Sequence, residues 1–305
     1  MDKITNNEIA ICLFCYNRYE HLKITLEELV KFDLQHFEVF IFCDGPKDLA
    51  DEAKTKKVRS LIGKMQAKGL KAEVHTNEIN KGLNNSIYSG LNKVFSNYEK
   101  AIIIEDDILI RKGFLQFLEK GLDTYSQNED VSGISGFSYI NKPLGKNYFL
   151  PIGTSWGWAT WKRVWDNVKD DPSFYKNEIT RLNLVDKFNF GGYPFYNILN
   201  TIIEGKSISW DIQFYASFFL EEKLFLFPNV SLCKNIGFDS SGTHTSSENE
   251  SFNSNDNTHL ISLEMPESIT LDSKMVKKIK SKMREMSIGS YTTRAKNIIK
   301  RVLRK

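Results

Sequence analysis

The chain has 305 residues, 41% of them hydrophobic and 12% aromatic, with a formal net charge of +3. That length carries one large α/β domain or two small ones, and the composition excludes a disordered or collagen-like chain. The charge is uneven: residues 271–305 hold twelve lysines and arginines against two acidic residues, and the remainder holds 29 basic and 36 acidic ones.

In chain order, the polar opening "MDKITNNE" lacks the apolar core of a signal peptide. No stretch approaches the roughly 18 apolar residues of a membrane span, so a cytoplasmic protein is expected. Residues 8–15, "EIAICLFC", read as a fully buried strand. Cys12 and Cys15 lie inside it, and a spacing of three puts them on opposite faces. Together with Cys43 and Cys233 they are expected to be small buried hydrophobes rather than a redox or zinc pair. Residues 19–31 carry Leu22, Leu26, Leu29 and Val30 at helical spacing. "FEVFIFCDG" (37–45) is a second strand, 47–68 a charged helix and 71–77 a third strand. A helix over 83–98 places Leu83, Ile87, Leu91 and Phe95 on one face. "AIIIEDD" (101–107) is a fourth strand, and 113–126 is a helix. Strands alternating with helices of this length imply a mostly parallel sheet flanked by helices.

After Gly133 the pattern becomes irregular. "SWGWATWKRVW" (155–165) places four tryptophans in eleven residues, with Trp161 and Trp165 four apart, as on one helix face. Helices are expected at 192–204 and 209–222, a strand at 224–233, a polar low-complexity loop at 245–258 and a helical basic tail.

The carboxyl ends of the strands carry the polar residues. Glu105, Asp106 and Asp107 end the fourth strand, where ligands of an open parallel sheet bind. Three adjacent carboxylates repel one another unless a cation or donors hold them, and a hard Mg²⁺ or Mn²⁺ ion can bridge such oxygens to a diphosphate. Asn17 and Arg18 end the first strand, with Arg18 placed to face a base or phosphate. Asp44 ends the second, placed to accept from a pyrimidine N–H. Asp211 follows Ser209, which can cap a helix with Trp210 and Asp211 in its first turn. Asp166, Asp170 and Asp171 are weaker candidates for a reactive carboxylate because their surroundings are charged. Sugars stack on aromatic rings, so Trp156, Trp158, Trp161 and Trp210 are candidates to line a cleft. Trp158 is favoured for the cleft and Trp165 for the core.

With these residues in view, the chain resembles nucleotide-sugar-dependent glycosyltransferases of the GT-A fold. The likeness is to the bacterial family-two type and, more remotely, to the N-acetylglucosaminyltransferase I group. It spans roughly residues 8–245 and rests on "CYNR" (15–18), "FCDGPK" (42–47), "NKGLNNSIYSGL" (80–91), "IIIEDDI" (102–108), "SWGWATWKRVW" (155–165), "WDIQF" (210–214) and "NVSLCKNIGFDSSGTHT" (229–245). The resemblance implies a Rossmann-like domain with a nucleotide-sugar half (1–140), an acceptor and catalytic half (141–260) and a basic helical tail (261–305). Asp107 would coordinate the metal under the donor diphosphate, and Glu105 and Asp106 would face ribose and sugar. Asp44 would contact uracil, Arg18 the base or phosphates, and Lys81 and Gly82 the nucleotide. Asp211 would be the general base of an inverting transfer from a UDP-sugar. His244 would be a metal ligand or phosphate contact. Glu105 departs from the family's usual first Asp, which leaves open whether it serves metal or ribose.

Two other readings compete. A sugar nucleotidyltransferase would open with a glycine-rich phosphate loop, and "CYNRYEHL" has no glycine. A non-catalytic nucleotide-sugar-binding module would turn Asp107 or Asp211 into the core. Nucleic-acid binding rests on the basic tail alone, without a zinc-finger or RNA-binding motif, and is not expected. The tail segment "RAKNIIKRVLRK" instead has the pattern of a helix lying on an anionic membrane, apolar face down. That suits a lipid-linked oligosaccharide acceptor on the inner face of the plasma membrane, in bacterial surface-polysaccharide assembly. Deleting 271–305 is then expected to spare transfer to a soluble acceptor.

Overall fold

The computed structural model describes residues 9–140, 143–238 and 256–302. Strand β1 (Ile9–Cys15) is seven consecutive apolar residues, and all seven are buried. A strand covered on both faces needs such a continuous run rather than an alternating one. After helix α1 (Tyr19–Leu29), β2 (Phe37–Cys43) pairs with β1 in parallel, Ile9 opposite Phe37. Helix α2 (Leu49–Ala67) is capped by Asp48, which accepts from Asp51 N, and buries Val58, Leu61, Ile62 and Met65. Strand β3 (Glu73–Thr76) adds to β2, and helix α3 (Leu83–Phe95) returns over the sheet. Gly90 permits that return: a Cβ there would lie 2.7 Å from the Phe14 ring.

Strand β4 (Lys100–Glu105) pairs with β1 and stops at the carboxylates. The apolar residues that resume after them belong to a different sheet. Strand β5 (Ile108–Ile110) pairs antiparallel with β10 (Cys233–Asn235) in a separate two-stranded sheet. The acidic run is therefore the corner where the chain leaves the main sheet.

Helix α4 (Phe114–Thr124) leads into a half that the sequence pattern misses. Strands β6 (Val131–Ser135), β7 (Tyr148–Leu150) and β8 (Trp158–Trp161), with the later β9 (Leu224–Phe227), complete an eight-stranded sheet ordered β3-β2-β1-β4-β8-β6-β9-β7. β8 is antiparallel to both β4 and β6, β9 is parallel to β6, and β7 is antiparallel to β9. Six of the eight strands thus run one way, giving the mostly parallel, helix-flanked α/β sheet expected. One sheet crosses both halves of the chain.

The tryptophan run is not a single helix. Trp158–Trp161 is a strand and α5 (Lys162–Trp165) a single turn. Trp165 is core, as expected, and Trp161, a candidate for the cleft, is core as well: Trp161 Nε1 donates to Leu122 O at 3.1 Å and Trp165 Nε1 to Asn92 Oδ1 at 2.7 Å. Helices α6 (Pro172–Arg181), α7 (Val185–Phe188), α8 (Phe195–Ile203) and α9 (Asp211–Leu220) follow. The strand expected at 224–233 is two strands, β9 and β10, separated by a buried loop.

Helix α10 (Ser273–Val302) is helical, as expected, but its first half is no free tail. Ile279, Met283 and Ser287 are buried. The Lys280 backbone lies against Gly191 in the short turn Phe190–Gly192. Upstream, Tyr125 Oη donates to Pro266 O, and Asn147 Nδ2 donates to Ser262 O and Glu264 O. Removing 271–305 would therefore uncover core, which corrects the expectation of a detachable segment. No helix among the described residues is long and apolar enough to cross a membrane. All four cysteines are buried and free, with Cys15 Sγ 3.3 Å from Cys43 Sγ on the neighbouring strand.

Candidate active site

Glu105 is the last residue of β4, and Asp106 and Asp107 form the corner. Asp106 is 2% exposed. Its carboxylate accepts from Tyr16 N and from Arg18 Nη2, and Thr25 Oγ1 donates to its carbonyl at 2.9 Å. The other arm of the same guanidinium, Nη1, donates to Asp107 Oδ2 at 2.9 Å. Burial alone would lower the Arg18 pKa, and Asp106 and Asp107 more than reverse this. Burial lifts Asp106 above the ordinary carboxylate value against the pull of Arg18. Glu105 is pushed up to about 8, first by burial, then by Asp107 and Asp106, with a further contribution from Asp211. Arg18, expected to face a base or phosphate, is instead the counter-charge of the acidic corner. The reason is physical: two buried carboxylates without a cation would be costly.

Gly237 seals the corner from the other side. A Cβ there would lie 2.3 Å from Asp107 Oδ2, and the neighbouring Ile236 N donates to Asp107 O at 2.9 Å. The "KNIGF" segment is thus shaped around Asp107.

Asp44 also differs from expectation. Its carboxylate accepts from Gly45 N, Asn77 Nδ2, Asn80 Nδ2, Lys81 N and Gly82 N. Five donors fill the roughly four lone-pair sites of a carboxylate, so no acceptor remains for a pyrimidine N–H. Asp44 instead ties residues 77–82 to the end of β2, and Lys81 and Gly82 take part through their backbone. Asn17 likewise turns inward, its Nδ2 donating to Asp51 Oδ1 at 2.9 Å. Asp51 also accepts from the Tyr16 hydroxyl, which fixes the Tyr16 ring beside the ends of β1 and β2. The sequence reading missed Tyr16 and Asp51, since an acid in the first turn of a helix is ordinary and only the fold sets it against Tyr16.

Asp211, half-buried, opens α9. Trp210 occupies the N-cap position without a side-chain cap, and Ser209 Oγ donates to the Asp211 carboxylate instead of capping the helix. The charge of Asp211 reaches Glu105 and the phenols of Tyr88 and Tyr139. Lys282 of α10 donates to Tyr139 O at 2.9 Å, and burial pulls its pKa down to about 8. The first half of α10 thus borders the region around Asp211. Asp170 faces the same region through Gln213 Nε2 at 3.4 Å, whereas Asp171 caps α6 and Asp166 pairs with Lys162.

The tryptophans are placed differently from expectation. Trp158 is 0% exposed, its ring 5.4 Å from Trp210 and 4.6 Å from Phe214. Trp210 is also buried. Neither offers a face to a sugar, because a central strand between β4 and β6 points Trp158 into the core. Trp156 stays half-buried, edge-on to Phe137 at 4.8 Å and to Phe238 at 5.5 Å. His244 lies outside the described residues.

Among the described residues no group of three or more metal-binding side chains converges on one point. The carboxylates that could hold a divalent ion are those of the acidic corner. It does not form an all-protein cage.

No family model matches the chain, and no curated protein matches it in sequence. Among solved structures, it is similar to the mannosyltransferase PcManGT from Pyrobaculum calidifontis, in complex with GDP-Man and Mn²⁺. That match has 12% identity, 72% of this chain and 70% of that one covered, and a TM-score of 0.40. It is also similar to TarS of S. aureus, at 15% identity, 53% and 30% coverage and a TM-score of 0.40. A third is a 4-diphosphocytidyl-2C-methyl-D-erythritol synthase from Anaerococcus prevotii, at 10% identity, 73% and 87% coverage and a TM-score of 0.39. Likeness at this level leaves the activity to the geometry of the site.

Proposed function

We propose that the chain is an inverting glycosyltransferase that moves a sugar from a UDP-sugar to a hydroxyl of a glycan acceptor. The observation that carries the reading is the acidic corner Glu105–Asp107 where β4 ends, enclosed by Arg18 and Gly237. Asp211, at the start of α9, is a second, separate carboxylate. Inverting transfer needs these two separate acidic functions. Asp107 would hold a divalent ion, Mn²⁺ or Mg²⁺, which supplies Lewis-acid neutralisation of the departing diphosphate. Asp211 takes the proton of the acceptor hydroxyl as its oxygen attacks the anomeric carbon. Ser209, donating to Asp211, orients that carboxylate. Glu105 is suited to a ribose or sugar hydroxyl. The Tyr16 ring, pinned through Asp51, is the surface for the uracil in place of the saturated Asp44. Trp156 is suited to stack on the acceptor.

The acceptor is proposed to be a lipid-linked oligosaccharide, with the basic sequence 294–305 attracted to an anionic membrane and the protein acting at the cytoplasmic face. The test is to incubate the chain with a panel of UDP-sugars, with and without Mn²⁺, and assay free UDP. Metal-dependent release from at least one sugar is expected. Release from none, or pyrophosphate exchange with UTP in its place, would contradict the reading.

A further inference from the structure

Three buried polar atoms close to Asp211 have no hydrogen-bond partner among the described residues: Tyr88 Oη on α3, Gln213 Oε1 on α9 and Trp158 Nε1 on β8. These residues are 8%, 1% and 0% exposed. A buried donor or acceptor left unpaired costs about 1–3 kcal/mol, so native chains keep few of them without a purpose. Packed rings connect them in series. The Tyr88 ring lies 5.3 Å from Trp165, Trp165 6.1 Å from Phe214, and Phe214 4.6 Å from Trp158. Gln213 precedes Phe214 and holds Asp170 Oδ1 at 3.4 Å through its other end. Burial, followed by the charges of Asp170, Tyr175 and Asp211, raises the Tyr88 pKa, so its hydroxyl stays protonated and available as a donor.

The geometry points to a sugar-recognition subsite formed by Tyr88, Gln213 and Asp170, which takes the hydroxyl groups of a neutral sugar beside Asp211. A hydroxyl group both donates and accepts, and the subsite offers the complement: a donor at Tyr88 and acceptors at Gln213 and Asp170. Asp170 is in no ion pair among the described residues and Asp211 opens the same helix as Gln213, so a sugar carrying a carboxylate is disfavoured there, with Lys282 of α10 the basic group on the same side through Tyr139. The inference rests on the UDP-sugar reading and deepens it by naming the class of sugar. Selection by such groups is steep, because a sugar lacking the matching hydroxyl leaves them unpaired.

The experiment is calorimetric binding of UDP, UDP-glucose, UDP-galactose, UDP-N-acetylglucosamine and UDP-glucuronate to the full chain with Mn²⁺, in wild type, Tyr88→Phe and Gln213→Met. Tyr88→Phe removes only an unpaired hydroxyl, so its melting temperature should not fall, and Gln213→Met keeps length and volume. Wild type should bind one neutral UDP-sugar best and UDP-glucuronate worst. Each variant should lose about tenfold, near 1.4 kcal/mol, for that neutral sugar while binding UDP as wild type does. Unchanged binding of every sugar by both variants would overturn the subsite and leave the cluster a place for buried water only. Equal losses for UDP and UDP-sugar would overturn it too, by tracing the effect to the nucleotide. Wild type binding no UDP compound at all would overturn the function reading itself, a result distinct from the other two.

Discussion

The ends of β1, β2 and β4 differ in kind from the region around α9. At the strand ends the polar groups are satisfied within the chain: Arg18 spans Asp106 and Asp107, Asp44 holds five donors, and Asp51 takes Tyr16 and Asn17. Around α9 the packing is aromatic, and Tyr88 and Gln213 keep atoms without a partner among the described residues. The difference separates construction from contact. A residue at the right place in a motif can be consumed in building the site, and spare bonding capacity marks where a ligand is still to come. Substitutions in the first region should therefore be read in stability, and those in the second in turnover and selectivity.

The largest departure is expected at Asp107, the one residue of the satisfied region that is also assigned to the metal. Asp107→Ala should abolish transfer and the metal-dependent gain in UDP affinity while the chain stays folded, since Arg18 keeps Asp106. Excess EDTA should do the same to wild type, and full activity in EDTA would remove the metal from the account. Arg18→Met should come next. It leaves Asp106 buried without its cation, a change of about 3–5 kcal/mol, measured by urea unfolding. A loss below about 1 kcal/mol would show that the pair contributes little to the fold.

A smaller effect is expected at the tail, where α10 itself divides. Truncation after Ser287 should keep the melting temperature and lower salt-sensitive binding to anionic vesicles, each lost basic residue contributing on the order of 1 kcal/mol near the surface. Truncation before Leu271 should also lower the melting temperature, because Ile279 and Met283 leave the core. Equal vesicle binding by full-length and shortened chains would rule out the tail as an anchor.

The sequence made one side of this comparison far more legible than the other. "IAICLFC", "FEVFIFC" and "KAIIIE" each carry an unbroken apolar run of four or more residues and are separated by long helices, and each lies within a few residues of its expected place. "VSGIS", "YFL" and "WATW" are three to five residues long and carry no period that separates them from loops. Strand β8 also enters antiparallel between β4 and β6, a pairing that no local pattern announces. Side-chain roles were harder still. Asp44 was visible as a strand-end acid, but its saturation depends on donors from residues 77–82. Tyr88 lies beside the apolar face marked by Ile87 and Leu91, and nothing in its neighbours reveals an unpaired hydroxyl. Asp211 was visible as a carboxylate opening the apolar run "IQFYASFF", and it stands in the first turn of α9, where an acid is also ordinary for a helix.

The most direct test of the central claim is turnover of Asp211→Asn with the UDP-sugar and acceptor that wild type uses. The substitution is nearly isosteric and removes the proton acceptor, so turnover should fall roughly 10²–10⁴-fold, with donor affinity and melting temperature kept. Turnover within a few-fold of wild type would place the base elsewhere and contradict the role assigned to Asp211.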